Sequence, residues 1–235
     1  MLSNNLLALA ITFVIILIWL RILDFGAHRG WLSSHLSRKL IHTGTGPIFV
    51  LCWLLFSEST FAPYLAALVP LLITVQFLFV GLGIIQDEAS VKALSRSGDR
   101  REILKGPLYY GIIFVLITIL YLKQSPIGMV ARMGLSGGDG LADIIGRNFG
   151  KSKLPWNQGK SWAGSLGMFA GAWVFSIIVL WIYQTTGVFP QAFNTFWLPV
   201  TIIALASTLI ETLPIHDLDN ITITLTALLL GHLLF

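Results

Sequence analysis

The 235-residue chain is 55% hydrophobic and only 11% charged, with a formal net charge of +4. Its mean hydropathy of +0.81 is too high for a soluble domain of this length, so an integral membrane protein is the expected class. The sequence has no basic stripe with interleaved aromatic residues, and a nucleic-acid partner is therefore not expected. A single cysteine, Cys52, excludes a disulfide within the chain.

Eight apolar runs approach the roughly 20 residues that a membrane-spanning helix needs. The first has no small-residue cleavage site after it and is expected to be a retained span rather than a signal peptide. Short connections predict one domain over residues 1–235: an all-α, polytopic transmembrane helical bundle of seven or eight spans, with a glycine-interrupted fifth span. The predicted spans are Ser3–Leu23, Leu40–Phe56, Phe61–Ile85, Pro107–Leu122, Ile127–Arg147, Ala163–Gln184, Phe196–Leu213 and Ile221–Leu234.

Lysine and arginine residues are concentrated in alternate loops. The loops after the first, third and fifth predicted spans carry most of them, whereas those after the second, fourth and sixth hold only Lys123. Loops rich in lysine and arginine stay on the cytoplasmic side of a membrane. The pattern therefore predicts an amino terminus outside and all polar clusters on the cytoplasmic face, where nucleotides are available.

Two carboxylates lie inside the fifth predicted span. Asp139 and Asp143 are four residues apart, so a helix places them on one face, where they repel one another. An aspartate near the middle of a bilayer costs about 2.5–3.5 kcal/mol, which makes a cation between the two the expected compensation. We interpret the pair as a divalent-metal site. Glycines interrupt the same run, which favours a broken helix that lines a site. They are Gly134, Gly137, Gly138 and Gly140.

Three lysines follow these carboxylates within a short distance in the sequence. Lys151, Lys153 and Lys160 suit a metal-bound triphosphate, because lysines neutralise phosphate oxygens while carboxylates hold the metal. The segment Gly159-Lys160-Ser161 is not a P-loop, since Leu154 occupies the required upstream glycine position and no strand is expected before it.

Two basic segments precede the fifth span. Lys39 and His42 are three residues apart on one helical face and suit either a site or a membrane anchor with an interhelical histidine. Arg100, Arg101 and Lys105 suit either an anion-binding lip or a solvated face.

The segment 211–220 near the carboxyl end is acidic. Glu211, Asp217 and Asp219 suit metal ligands or a general base for an alcohol, although a short acidic loop is also simply soluble. Gly167 and Gly171 in the sixth span have the spacing of a helix-packing face.

Five motifs cover the chain from the second predicted span to the eighth. They are Arg38-Lys39-x-x-His42, Gly98-Asp99-Arg100-Arg101-Glu102-x-Leu104-Lys105-Gly106-Pro107-Leu108-Tyr109-Tyr110, Gly138-Asp139-Gly140-x-Ala142-Asp143-x-x-Gly146-Arg147-x-x-Gly150, Lys160-Ser161-x-Ala163-Gly164-Ser165 and Glu211-x-Leu213-Pro214. Together they resemble the phytol kinase branch of the polyprenol (dolichol-type) kinase family. The resemblance implies an integral membrane kinase that phosphorylates an isoprenoid alcohol with CTP, or with UTP in the phytol branch, in the salvage of phytol toward tocopherol.

The motifs and the resemblance together assign candidate roles to individual residues. The predicted catalytic residues are Asp139, Asp143, His42 and Glu211; the predicted nucleotide- and phosphate-binding residues are Lys39, Arg100, Arg101, Lys105, Gly138, Gly140, Arg147, Lys151, Lys153, Lys160 and Ser161; and the predicted Mg²⁺ ligands are Asp139, Asp143 and Asp219. In this hypothesis a nearby carboxylate or His42 accepts the proton of the alcohol.

Two other functions remain open from the sequence. A phosphatidate-type cytidylyltransferase also pairs aspartates with lysines near a membrane, but it attacks a different phosphorus atom of the nucleotide. A broken helix with paired aspartates also suits the cation pathway of a transporter. Against a transporter, the charged residues cluster at one membrane face, and Arg132 is an exception that we expect to pair with another polar group or to snorkel.

Overall fold

The structure, a computed structural model, describes residues 2–95, 98–214 and 218–235. These residues are predominantly helical. In chain order the α-helices are α1 Leu2–His28, α2 Ser34–Cys52, α3 Ala62–Leu82, α4 Glu88–Leu94, α5 Gly106–Tyr121, α6 Pro126–Met133, α7 Asp139–Phe149, α8 Trp162–Thr185, α9 Trp197–Glu211 and α10 Asp219–Leu234. The strands are β1 Lys153–Leu154 and β2 Asn157–Ser161.

Five helical segments of the described residues are long and apolar enough to cross a membrane. They are Asn4–Ala27, Ala62–Leu82, Arg100–Tyr121, Trp162–Thr185 and Phe193–Glu211. These segments correspond to the first, third, fourth, sixth and seventh predicted spans, and α10 is a shorter apolar helix. The all-α, polytopic membrane class is therefore confirmed, whereas the number of seven or eight spans stays a prediction.

Contacts divide the chain into two units. One comprises Met1–Arg38 and Leu55–Leu120, and the other comprises Lys39–Leu54 and Tyr121–Phe235. In the first unit α3 packs against α1 and against the short 3₁₀ helix Arg100–Leu104. In the second unit α8 packs against α6, α7 and α9, and α10 packs against α6 and α9. The single domain expected from the sequence stays a prediction.

The glycine-rich part of the fifth predicted span forms a π-helical turn, Gly134–Gly138, between α6 and α7. The backbone N–H of Asp139 donates to the carbonyl of Gly134, five residues earlier, and to that of Ser136. The glycines therefore widen the helix locally and do not unwind it, so the expected break is corrected to a continuous helix with a π turn. Such turns occur frequently at functional sites.

Small residues let α8 lie close to the π turn and α7. A Cβ atom added at Gly171 would overlap the backbone carbonyl of Gly137, and one added at Gly167 would lie 2.9 Å from the carbonyl oxygen of Leu141. Backbone atoms cannot move aside as a flexible side chain can. The packing role predicted for Gly167 and Gly171 is thus confirmed, and α7 is held in one position along α8.

A β-hairpin connects α7 to α8. Strands β1 and β2 are antiparallel, with Lys153 opposite Ser161 and Leu154 opposite Asn157. Leu154 is fully buried, which fixes the hairpin against the protein. These strands are not predictable from the sequence, because two and five residues are too few to show a period-two pattern.

We expect Gly171→Ala to destabilise the protein by about 1–3 kcal/mol, because the new methyl group overlaps a backbone carbonyl that is fixed in the π turn. The measurement is the melting temperature of the detergent-solubilised protein. Gly134→Ala is the matched control: its added Cβ has only an ordinary contact, 4.0 Å from Ile223. Equal melting temperatures for the two variants would contradict the packing described here.

Candidate functional site

The two aspartates of α7 share one lysine from α2. The Nζ atom of Lys39 lies 3.7 Å from Oδ2 of Asp139 and 3.7 Å from Oδ2 of Asp143. All three side chains are largely shielded, with 18% of Lys39, 24% of Asp139 and 23% of Asp143 exposed. Lys39 thus supplies positive charge between the two carboxylates. From the sequence, this charge is expected to come from a metal ion alone.

His42 joins the same cluster one helical turn after Lys39. Its Nε2 atom lies 3.3 Å from Oδ2 of Asp139 and 3.3 Å from the carbonyl oxygen of Leu135 in the π turn. The predicted pairing of Lys39 and His42 on one face of α2 is therefore confirmed. Both side chains point at the segment that contains the aspartates.

A glycine allows α2 to come this close to α7. Gly140 lies against Thr43, and a Cβ atom at position 140 would overlap the Thr43 hydroxyl group. Gly138 lies against Met168 of α8 in a similar way, with 2.7 Å between an added Cβ and the sulfur atom. Packing accounts for both buried glycines, and their predicted phosphate contacts stay a prediction.

Arg147 also contacts Asp143. Its Nε atom donates to Oδ1 of Asp143 at 3.0 Å, one helical turn away. The arginine side chain is 62% exposed, so this ion pair contributes little to stability. Its guanidinium group is thus a mostly exposed cation at the edge of the aspartate pair.

A second charged group forms around Lys160 of β2. Its Nζ atom donates to Oε1 of Glu211, at the end of α9, and lies 3.4 Å from Oδ2 of Asp219, at the start of α10. Glu211 is 3% exposed and Lys160 is 28% exposed, so this is a largely buried salt bridge. The hairpin thereby places the predicted lysine between the two predicted acidic residues.

The surroundings of Lys160 determine the direction in which its pKa shifts. Burial alone would lower the pKa of its ammonium group, but Glu211, then Asp219 and Asp139, outweigh burial and raise the pKa above its ordinary value. Lys160 is therefore charged below about pH 10, the ordinary pKa of a lysine. Asp139 makes the smallest of these three contributions, so its carboxylate lies within electrostatic reach of Lys160.

Three predicted phosphate-binding residues of the hairpin segment form no side-chain hydrogen bond or ion pair with the two charged groups in the described structure. Lys151 and Lys153 are exposed beside the hairpin, and the Ser161 hydroxyl accepts the N–H of Gly164 as the cap of α8. Their phosphate contacts stay predictions.

The predicted anion-binding lip lies in the first unit. Arg100, Arg101 and Lys105 are exposed there, and their phosphate contacts stay a prediction. Asp217 lies outside the described residues.

Two groups that take part in the site, the Leu135 carbonyl and the Asn157 side chain, are not predicted from the sequence. The carbonyl of Leu135 belongs to the site through its backbone, for which an apolar side chain gives no signal. Asn157 donates from Nδ2 to the carbonyl of Thr212 at 3.0 Å, which ties the hairpin to the end of α9. The turn-forming segment around Pro155 signals a loop there but not its partner.

The oxygen atoms of the aspartate pair fit Mg²⁺. Among the residues that the structure describes, no group of three or more His, Cys, Asp or Glu could hold a metal ion by itself. Mg²⁺ commonly takes only one or two carboxylates and completes its shell with water and substrate phosphates. Asp139 and Asp143 direct two carboxylate oxygens at a single cation, Lys39, and this donor set suits that mode of binding. The role of Asp219 as a further ligand stays a prediction.

The fold and the site define an integral membrane protein with a cluster of lysines, carboxylates and a histidine in its helical second unit. Curated relatives make the class specific. The chain is 44% identical to farnesol kinase, chloroplastic, of Arabidopsis thaliana over 209 aligned residues. The alignment covers 88% of this chain and 68% of that protein. It is 40% identical over 209 residues to phytol kinase 1, chloroplastic, of the same plant, with 88% and 69% covered.

A third relative, the probable phytol kinase, chloroplastic, of Triticum aestivum, is 42% identical over 217 residues, with 92% of this chain and 72% of that protein covered. The chain belongs to the phytol kinase family. The resemblance drawn from the five motifs is thereby confirmed. No family model matches the chain, and no solved structure matches it.

We expect Lys160→Met to lower the free energy of unfolding by up to about 3 kcal/mol, because it leaves the buried Glu211 carboxylate without its cation. The double variant Lys160→Met/Glu211→Gln should lose less than Lys160→Met alone, since no uncompensated charge remains at position 211. Melting temperatures in detergent measure both. Arg147→Met, which removes an exposed ion pair, is the control and should change stability by less than about 1 kcal/mol. Additive losses in the double variant would contradict a coupled pair.

Proposed function

We propose that the protein is an isoprenoid-alcohol kinase that transfers the γ-phosphoryl group of CTP or UTP, bound with Mg²⁺, to the hydroxyl group of phytol or a related polyprenol. The observation that carries the proposal is the position of Lys39 between Asp139 and Asp143 in a chain of the phytol kinase family. The printed names of its relatives, phytol kinase and farnesol kinase, support an isoprenoid alcohol as acceptor.

Phosphoryl transfer requires positioning and charge compensation more than covalent chemistry by the protein. Asp139 and Asp143 would hold Mg²⁺, which when bound neutralises charge on the transferring phosphoryl group. Lys39 and Lys160 would orient the phosphate oxygens. Each lysine is now shared between two carboxylates, so an incoming triphosphate offers it an equivalent set of anionic oxygens.

The alcohol oxygen attacks the γ-phosphorus, and the bond from that phosphorus to the bridging oxygen breaks, releasing the nucleoside diphosphate. The proton of the alcohol needs an acceptor. Glu211 suits this role, because Lys160 holds its Oε1 atom while its buried Oε2 atom has no hydrogen-bond partner in the described structure. A carboxylate with one fixed oxygen and one available oxygen can accept a proton without losing its position.

Apolar side chains beside the cluster favour a lipid acceptor. Phe149 at the end of α7 is 70% exposed, and Leu213 and Leu218, within the acidic segment 211–220, are 41% and 44% exposed. We place these residues at the cytoplasmic edge of the membrane and the amino terminus on the other side, in agreement with the distribution of lysine and arginine among the loops. An isoprenoid chain could then remain among apolar surfaces while its hydroxyl group reaches the charged groups.

Asp139→Asn should reduce lipid phosphorylation by about 100-fold or more, because it removes a carboxylate that would hold the metal ion bound to the phosphates. The assay supplies membranes with phytol, farnesol or geranylgeraniol and with CTP or UTP labelled at the γ-phosphate, with and without a chelator. Glu88→Gln, at an exposed position in the first unit, is the control and should keep full activity.

The same assay with label at the α-phosphate separates the kinase from a cytidylyltransferase, since a kinase transfers only the γ-label to lipid. Full activity in Asp139→Asn, or transfer of the α-label, would contradict the proposal.

A further inference from the structure

The π turn changes the hydrogen bonding of the helix directly before Asp139. In an α-helix the carbonyl of Leu135 would accept the backbone N–H of Asp139, four residues later. Here that N–H donates to the carbonyls of Gly134 and Ser136. The carbonyl of Leu135 therefore does not receive this α-helical hydrogen bond, and it lies in a buried segment.

His42 provides a donor for this carbonyl from the neighbouring helix α2. Its Nε2 atom lies 3.3 Å from the Leu135 oxygen and equally 3.3 Å from Oδ2 of Asp139. A carbonyl oxygen and an ionised carboxylate both accept hydrogen bonds and have no proton to donate. Nε2 must therefore carry the proton and donate to both oxygens in a three-centre hydrogen bond.

This geometry determines what Nε2 can do during catalysis. A nitrogen atom that already carries a proton cannot accept the proton of an alcohol. The contact of Thr43 with Gly140 fixes α2 against α7 close to this point, and the His42 side chain is only 21% exposed. The imidazole ring is therefore confined in the orientation that directs Nε2–H at Asp139.

Lys39 and His42 both contact Asp139, but they differ in whether they can also pair with other anionic groups. Lys39 is equidistant from Asp139 and Asp143 and can follow either carboxylate or a phosphate. The contacts of His42 include the Asp139 carboxylate and the Leu135 carbonyl, a backbone group that cannot move away. When a nucleotide attracts Lys39, the hydrogen bond from His42 remains to hold Asp139.

We propose that His42 is a positioning residue that fixes the Asp139 carboxylate to the π turn through Nε2–H. The proposal rests on the proposed function, which assigns Asp139 its role in binding the metal-bound nucleotide.

Glutamine tests this role, because its side-chain amide offers an N–H donor at a similar reach but cannot accept a proton as a base. We expect His42→Gln to keep kcat and the KM for nucleotide within about threefold of wild type. His42→Ala should lose about 10- to 100-fold, as is usual for residues that orient a metal ligand. His232→Gln is the control, since His232 hydrogen-bonds Tyr121 and does not touch the cluster described here.

Two further measurements do not depend on turnover. Equilibrium binding of CTP with Mg²⁺, without alcohol, should be weakened in His42→Ala and preserved in His42→Gln, and the melting temperature in detergent should follow the same order. Equal loss of activity in both variants would overturn the proposal, because a general base is lost in both. Unchanged activity in both would also overturn it.

The outcomes distinguish this proposal from the proposed function. If the wild-type protein phosphorylates none of the isoprenoid alcohols offered, the proposed function fails. The difference in melting temperature between His42→Gln and His42→Ala still decides whether His42 serves as a hydrogen-bond donor to the π turn. Equal melting temperatures for these two variants would then reject that role.

Discussion

Two largely shielded aspartates on one face of a helix can both stay ionised only if positive charge lies beside them. In this protein the charge is the ammonium group of Lys39, 3.7 Å from each carboxylate. Isolated carboxylates in such surroundings would be neutralised by protonation or would destabilise the helix. The position of α2, which carries Lys39, is therefore the condition on which the rest of the site depends.

Backbone features make that position possible. The absence of a side chain at Gly140 lets Thr43 of α2 approach α7, and Gly167 and Gly171 let α8 support α7 from another side. The π turn then offers the Leu135 carbonyl to His42, which also contacts Asp139. The π turn and the start of α7 therefore contain both the close helix contacts and the charged residues of the site. The same glycines that the sequence motifs suggest for ligand binding are explained by close helix contacts.

The sequence predicts much of the fold and the members of the charged cluster. Apolar runs locate the long helices, and the four-residue spacing of Asp139 and Asp143 places them on one face. The pairing of Lys160 with Glu211, 51 positions apart, could not be deduced from spacing, because it depends on how the hairpin lies against the ends of α9 and α10. The π turn is equally hidden, since glycines signal a weak helix but not whether it unwinds or widens. Lys39 is recognisable as a basic residue in a motif, yet its position between the aspartates is a tertiary contact.

The central claim is that Asp139 and Asp143 receive a divalent cation together with the nucleotide phosphates. Mn²⁺ can replace Mg²⁺ as a paramagnetic probe, and its free concentration can be followed by electron paramagnetic resonance as it is titrated into the detergent-solubilised protein with CTP. The account predicts saturable binding of Mn²⁺ with CTP to the wild-type chain and its loss in the Asp139→Asn/Asp143→Asn double variant. Equal binding of Mn²⁺ and CTP by the double variant and the wild type would contradict it.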